Sequence, residues 1–189
     1  MAVAASCVEE RLPLACACCA SRAVRRAFGP ELLMSSRRKP SVLFLCSANS
    51  CRSQMAEGWT RALYGDDVEV HSAGVEARGV DPRAVEVMRE AGVDISGQTS
   101  KTVDRYLERE FDLVVTVCEQ AAESCPAFPR AIRIIHHSFV DPARASGSRE
   151  EVLALFRTIR DEIRDFVRKL PELLPEPMPD AEAAAREPD

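Results

Sequence analysis

The sequence has no apolar stretch approaching the roughly 18 to 20 residues of a membrane-spanning helix, so a protein built on such spans is excluded. It also lacks a basic excess, with a formal net charge of −5 over 189 residues. Residues 1–40 hold seven Lys or Arg against three Glu, a balance of +4, which leaves −9 for residues 41–189. An acidic folded part argues against a nucleic-acid binder, whose affinity rests on a basic face neutralising phosphates. Cys16, Cys18 and Cys19 cluster, yet no Cys/His set follows at zinc-site spacing, so no metal site is expected there. A secretory signal is lacking too. Leu12 to Ala20 is apolar, but Glu9 and Glu10 precede it where positive charge belongs. The eight cysteines therefore read as reduced cytosolic thiols rather than a disulfide framework, and the expected location is cytoplasmic.

What is present is concentrated after residue 40. Residues 1–40 are rich in Ala, Arg and Cys without a sustained period and read as a disordered N-terminal extension. An Arg-rich targeting segment, or translation starting at Met34, are the alternatives. From Ser41 strands and helices alternate. Ser41 to Cys46 is a short buried strand, and a helix runs from about Ser53 to Tyr64. Val68 to Ser72 is a second strand that Gly74 ends. A helix over Pro82 to Ala91 follows Asp81 and stops at Gly92. Thr102 to Glu110 reads as helical, Phe111 to Val117 as a nearly all-apolar central strand, and Ile132 to Ile135 as a fourth strand. Apolar residues recur at helical spacing from Ser148 to Leu170, with Pro171 as the stop. This order implies an α/β fold: a doubly wound, four-stranded parallel sheet with helices on both faces, folded over residues 41–174. Residues 175–189 read as a flexible acidic, Pro-rich tail.

The chemistry begins with Cys46-Ser47-Ala48-Asn49-Ser50-Cys51-Arg52-Ser53, placed between the first strand and the first helix. A strand ending in a tight loop that feeds a helix aims successive backbone N–H groups into one concavity, to which the helix N-terminus adds its positive dipole end. The amides of Ser47, Ala48, Asn49, Ser50, Cys51 and Arg52 would then hold a tetrahedral oxyanion. Arg52 closes the loop with a planar fork suited to two oxygens of phosphate or arsenate. The field that holds an anion also favours a thiolate, which makes Cys46 the candidate nucleophile. Cys51 reads as packing more than as a second redox thiol.

Two further thiols, Cys118 and Cys125, are seven residues apart. On a helix they would share a face but sit roughly 10 Å apart along the axis. A disulfide requires Cα atoms within about 7 Å, so a bond between them requires the segment to unwind. Spacing alone leaves open whether they are a redox switch or two buried thiols. Cys118 ends a strand neighbouring Cys46, which favours the switch. Asp141, followed by Pro142 after the fourth strand, is a candidate general acid. His136 and His137 are left without a role.

Val42 to Gly58, Val114 to Cys118, Cys125-Pro126 and His137 to Ala143 together resemble the low-molecular-weight protein tyrosine phosphatase family, in its arsenate reductase branch. The resemblance covers about residues 41–170. It implies a relay of three thiols: Cys46 attacks arsenate held by the loop and Arg52, Ser53 steadies the thiolate, and Asp141 protonates the departing oxygen. Cys118 then attacks Cys46, and Cys125 attacks Cys118. It further implies thioredoxin as external reductant, no bound cofactor, phosphate or sulfate as competing oxyanions, and in some relatives potassium at Asn49, Glu57 and Ser72. The family usually has Gly where Ala48 stands, and a Cβ there would restrict φ or tighten the pocket. The rival readings are a phosphomonoesterase, which would not need Cys118 or Cys125, and a non-catalytic oxyanion or redox sensor. Ala143-Arg144 after the Asp-Pro pair, in place of ring-cradling aromatics, favours the reductase.

Overall fold

The computed structural model describes residues 38–123, 128 and 130–175. The extension up to residue 37 with its cysteine cluster, Cys125, and the tail from residue 176 lie outside the described residues. Four strands, β1 (Ser41–Cys46), β2 (Glu69–Gly74), β3 (Phe111–Thr116) and β4 (Ala131–His136), form one sheet in the order β2-β1-β3-β4. Every pairing is parallel. The helices are α1 (Arg52–Tyr64), α2 (Pro82–Glu90), α3 (Glu119–Glu123), α4 (Arg149–Val167) and α5 (Leu170–Leu173).

Successive residues of a strand point to opposite faces of a sheet. All six residues of β1 and all six of β3 are buried, so both faces are covered, as the unbroken apolar runs require. β4 is the exposed edge, with Ile132 and Ile134 open to solvent. The chain steps from β1 outward to β2 and then returns past β1 to β3, which puts the topological switch between β1 and β3. The carboxyl ends of those two strands therefore open into one crevice. Cys46 pairs with Gly74 on one side, while Leu45 pairs with Thr116 on the other. Val117 continues that register, donating its N–H to Leu45 O at 2.8 Å, so Cys118 lies one residue beyond the level of Cys46.

β2 and β4 differ from the pattern-based expectation by one or two residues at their ends, and further boundaries differ as well. Thr102 to Glu110 yields only a 3₁₀ turn, Val103–Tyr106. Its buried residues, Val103 and Tyr106, are three apart, which is the repeat of a 3₁₀ turn, and the Tyr106 ring packs 5.9 Å from that of Phe111. The long C-terminal helix stops at Val167, and Pro171 lies in the first turn of α5 instead of terminating α4. Proline is tolerated there because first-turn N–H groups have no intrahelical acceptor. The third strand ends at Thr116, one residue early.

α4 starts with a reciprocal capping box between Ser148 and Glu151, a feature worth about 0.5–2 kcal/mol. It docks on α1 partly through Trp59, whose Nε1 donates to Arg160 O at 3.2 Å. Among the described residues no helix is long and apolar enough to cross a membrane.

Gly74, the last residue of β2, is pinned by close approach. A Cβ there would lie 2.4 Å from Glu76 O, 2.6 Å from Asn49 N and 2.9 Å from Ala48 C, all of them backbone atoms that cannot rotate away. Gly74→Ala is expected to lower stability by about 1–3 kcal/mol and to displace the Cys46 loop. Urea unfolding together with phosphate affinity measures both effects; an unchanged midpoint and unchanged affinity would show that the contact is not binding.

Candidate active site

The loop after β1 is built by backbone accounting. Its carbonyls are all engaged: Cys46 O accepts from Val75 N (3.2 Å), Ser47 O from Glu76 N (2.9 Å), Ala48 O from Arg78 N (3.2 Å) and Ser50 O from Asp81 N (3.0 Å). Asn49 O accepts from Gln54 Nε2 at 3.1 Å. In a planar trans peptide the next N–H points opposite to the carbonyl. Carbonyls drawn toward residues 75–81 therefore leave the N–H groups of Ser47, Ala48 and Cys51 pointing the other way, with that of Ser50 opposing Asn49 O. Among the described residues none of these four N–H groups has an acceptor. The Arg52 N–H joins them as the first residue of α1, whose opening turn leaves its donors free. These donors belong to residues that line one cavity, an arrangement able to cradle an anion.

Asn49 is the hub. It takes φ = 46°, the one non-glycine residue with positive φ among those described. Asparagine tolerates this region better than most residues. The left-handed position therefore falls on Asn49 and not on Ala48, so the Cβ of Ala48 meets no φ restriction there. The Asn49 N–H turns to Cys46 Sγ at 3.1 Å. Its Oδ1 accepts from Lys101 N at 2.7 Å and Gln54 Nε2 at 3.0 Å, which fixes the amide orientation because a backbone N–H can only donate. Its Nδ2 then donates to Ser53 Oγ and to Ser72 Oγ, each at 2.9 Å. Ser53 Oγ is 2.9 Å from Cys46 Sγ, and with a lone pair already taken by Asn49 its hydrogen is free for the sulfur. A Cys46 thiolate thus has two donors aimed at it, a charge-assisted arrangement.

Arg52 is buried at 7% exposure, yet its guanidinium is directed. Nη1 donates to Phe139 O at 3.0 Å and Nη2 lies 3.1 Å from Asp141 Oδ2. Asp141 Oδ1 also accepts from Ala143 N at 3.1 Å, a cap that holds the carboxyl at the crevice mouth. A cavity of about 600 Å³ is lined by Cys46, the loop, Arg52 and Asp141. An adjoining cavity of about 400 Å³ shares Ser47, Arg52 and Asp141 with it and is lined by Cys118. Cys118 is buried, and its Sγ accepts from Ala121 N at 3.3 Å. α3 ends at Glu123, two residues before Cys125, which lies outside the described residues.

Cys46, the loop residues Ser47 to Arg52, Ser53 and Asp141 are therefore brought together, with Cys118 next to them. Cys51 is buried with its Sγ 3.6 Å from Asp81 Oδ2. Asn49, Ser72 and Glu57 also meet, as hydrogen-bond partners of one another: Ser72 Oγ donates to Glu57 Oε2. The two unassigned histidines have local partners, His136 Nδ1 with Thr116 Oγ1 at 2.7 Å and His137 stacked on Phe166. Sequence reasoning missed Lys101, Gln54, the Phe139 carbonyl and residues 75–81. Asp81-Pro82 left a local trace as the cap of α2, and Gln54 lies within the motif, five residues from Asn49; Lys101 and the Phe139 carbonyl act through long-range contacts that no periodicity encodes.

A sequence model of the low molecular weight phosphotyrosine protein phosphatase family matches residues 41–178. Among curated proteins, an arsenate reductase of Halalkalibacterium halodurans is 54% identical over 125 residues, covering 66% of this chain and 90% of that protein. An arsenate reductase of Bacillus subtilis is 52% identical over 122 residues, covering 65% of this chain and 88% of that protein. Among solved structures, an arsenate reductase in a phosphate-binding state superposes with a TM-score of 0.63 at 33% identity, over 72% of this chain and 99% of the other. A low molecular weight protein tyrosine phosphatase from T. tengcongensis gives a TM-score of 0.57 at 29% identity, over 72% and 100% of the two chains.

Burial, and then the Asp81 carboxylate, push the Cys51 thiol up to about 12, so it stays protonated throughout the neutral range. At about pH 8, iodoacetamide is expected to label Cys46 at least about tenfold faster than Cys51. Asp81→Asn removes one of the raising causes and should increase Cys51 labelling. Fragment-ion mapping of the peptide that carries both thiols reads the rates, and equal labelling in the parent protein would contradict the assignment.

Proposed function

The chain belongs to the low molecular weight phosphotyrosine protein phosphatase family, and on that premise we propose that it reduces arsenate to arsenite with Cys46 as nucleophile and Cys118 and Cys125 as the resolving thiols. The observation that carries this reading is the second thiol: Cys118 lines a cavity sharing walls with the Cys46 pocket, at the strand end next to β1. A phosphatase needs only Cys46, Arg52 and an acid. The names of the relatives that match at about half identity point the same way.

In this mechanism arsenate enters the cradle of loop amides and takes over the Arg52 contact that Asp141 makes. The Cys46 thiolate attacks arsenic. An S–As bond forms, an As–O bond breaks, and the protonated Asp141 carboxyl gives its proton so that the oxygen leaves as water. The Cys118 thiolate next attacks Cys46 Sγ. The S–As bond breaks with its electron pair going to arsenic, which leaves as arsenite, and a Cys46–Cys118 disulfide forms. Two thiols have supplied the two electrons. The Cys125 thiolate then attacks Cys118, releasing the Cys46 thiolate and leaving a Cys118–Cys125 disulfide. An external dithiol, thioredoxin in this proposal, reduces that bond. Ser53 and the Asn49 N–H hold the leaving Cys46 thiolate in the third step as they held the nucleophile in the first.

A thioredoxin and thioredoxin reductase assay, following NADPH oxidation on addition of arsenate, tests this. The parent should turn over repeatedly, whereas Cys118→Ser and Cys125→Ser should each lose about 10²-fold or more in steady-state rate. Full multiple-turnover activity in both variants would sink the relay. No response to arsenate combined with efficient hydrolysis of p-nitrophenyl phosphate would establish the phosphatase instead. Activity with glutaredoxin and glutathione, but not thioredoxin, would reassign the reductant alone.

A further inference from the structure

Glu57 sits on α1 with its side chain only 2% exposed, and a carboxylate so withdrawn from water requires compensating charge. Two cations meet it. Arg61 reaches Oε1 from a side chain that is 56% exposed. Lys101 Nζ lies 3.6 Å from Oε2 on a side chain that is 14% exposed, and it donates to Thr99 O at 3.0 Å. Oε2 is the oxygen that Ser72 Oγ binds. The backbone of Lys101 meets the same network from the other end, its N–H on Asn49 Oδ1 and its carbonyl on Gly74 N at 2.9 Å.

We propose that Lys101 is a positioning residue whose ammonium anchors the Glu57 carboxylate against Ser72, so that the Asn49 amide, oriented by the Lys101 N–H, is held on both sides where it orders Ser53 beside Cys46. A carboxylate only accepts. Ser72 must then spend its one hydrogen on Glu57 and accept from Asn49 Nδ2. The second Nδ2 hydrogen goes to Ser53, whose own hydrogen is left for Cys46 Sγ. A displaced Glu57 would release Ser72 to donate elsewhere, and Asn49 Nδ2 would lose a fixed acceptor beside Ser53.

The same geometry disagrees with potassium at Asn49, Glu57 and Ser72. Asn49 presents amide hydrogens, not oxygen, to Ser72, and its Oδ1 is occupied by Lys101 N and Gln54 Nε2. A monovalent cation on Glu57 Oε2 would meet the Lys101 ammonium already there. The three side chains bind one another, and Lys101 and Arg61 carry the charge opposite Glu57.

The inference rests on Cys46 as the nucleophile and is indifferent to whether arsenate or a phosphate ester follows. It is therefore tested without turnover, by the rate of Cys46 alkylation with iodoacetamide in the reduced full-length protein, assigned by fragment ions. Lys101→Met should slow the rate about tenfold, the order of effect that losing a residue's outer hydrogen-bond partner has at metal sites, and Lys101→Arg should bring it back to within about threefold of the parent. In a Glu57→Gln background the Lys101→Met substitution should add less than about twofold, because the two residues act through one another. Replacing sodium by potassium at equal ionic strength should change neither the melting temperature nor the alkylation rate of the parent. Circular dichroism checks that each variant is folded, and the main-chain bonds of Lys101 survive substitution. An unaltered rate in Lys101→Met, its full effect in Glu57→Gln, or a potassium-specific gain in the parent would each overturn the proposal.

Discussion

The site depends on one constraint: the five carbonyls from Cys46 to Ser50 are all engaged outside the cradle. Four are taken by backbone N–H groups of residues 75–81 and one by the Gln54 side chain. Because a peptide unit is planar, binding the carbonyls on one side turns the amides to the other. The cradle is thus made by the segment that follows β2 as much as by the loop itself. The requirement at Gly74 follows from the same fact, since the β2 backbone must pass within contact distance of Ala48 and Asn49 to place residues 75–81. Each satisfied carbonyl also removes a buried polar group that would otherwise cost about 1–3 kcal/mol.

Preorganisation continues inward from the cradle through Asn49. Its main chain serves the nucleophile, its carbonyl oxygens bind Gln54 and Lys101, and its amide hydrogens order Ser53 and Ser72. A low-dielectric setting strengthens such a chain only when each member has its partner, and the penalty for a gap grows equally. That explains why a charged pair, Glu57 with Lys101, is kept at the far end despite the desolvation it entails. By contrast the ion pairs of α2 with α4, such as Glu86 with Arg149, lie at the surface, where such pairs contribute little. Charge in this protein matters where water is excluded.

Much of the fold was legible. The apolar runs of β1 and β3, the Asp81-Pro82 start of α2 and the Ser148 start of α4 carry strong local signals, and all four appear in the structure. The misses were local signals overruled by packing. Thr102 to Glu110 has helical composition, but Val103 and Tyr106 are both drawn into the core at a spacing that a 3₁₀ turn fits. Pro171 is a stop signal by sequence, yet the chain turns at Arg168 and resumes with the proline where its missing N–H is harmless. At the site, the motif pointed to the candidate nucleophile Cys46, to Arg52 and to Ser53 because they lie within eight residues of one another. It could not reveal Lys101, which is 52 residues from Asn49.

The amino-acid sequence by itself determined which groups are chemically able: a cysteine and an arginine bracketing a tight loop at a strand end, a serine at the helix start, an Asp-Pro after the last strand, and further thiols downstream. Those are properties of residue type and near spacing, and the backbone expresses them wherever the strand–loop–helix unit forms. Only the tertiary structure decided that β3 lies directly against β1, so that Cys118 opens beside the Cys46 pocket, and that the Cys51 thiol is silenced by burial and then by Asp81. It alone put an ammonium against Glu57. The physical reason is that hydrogen-bond direction and the state of a buried charge are set by whatever lies within about 4 Å in space, and that neighbourhood is assembled from chain segments whose separation along the sequence carries no periodic signal.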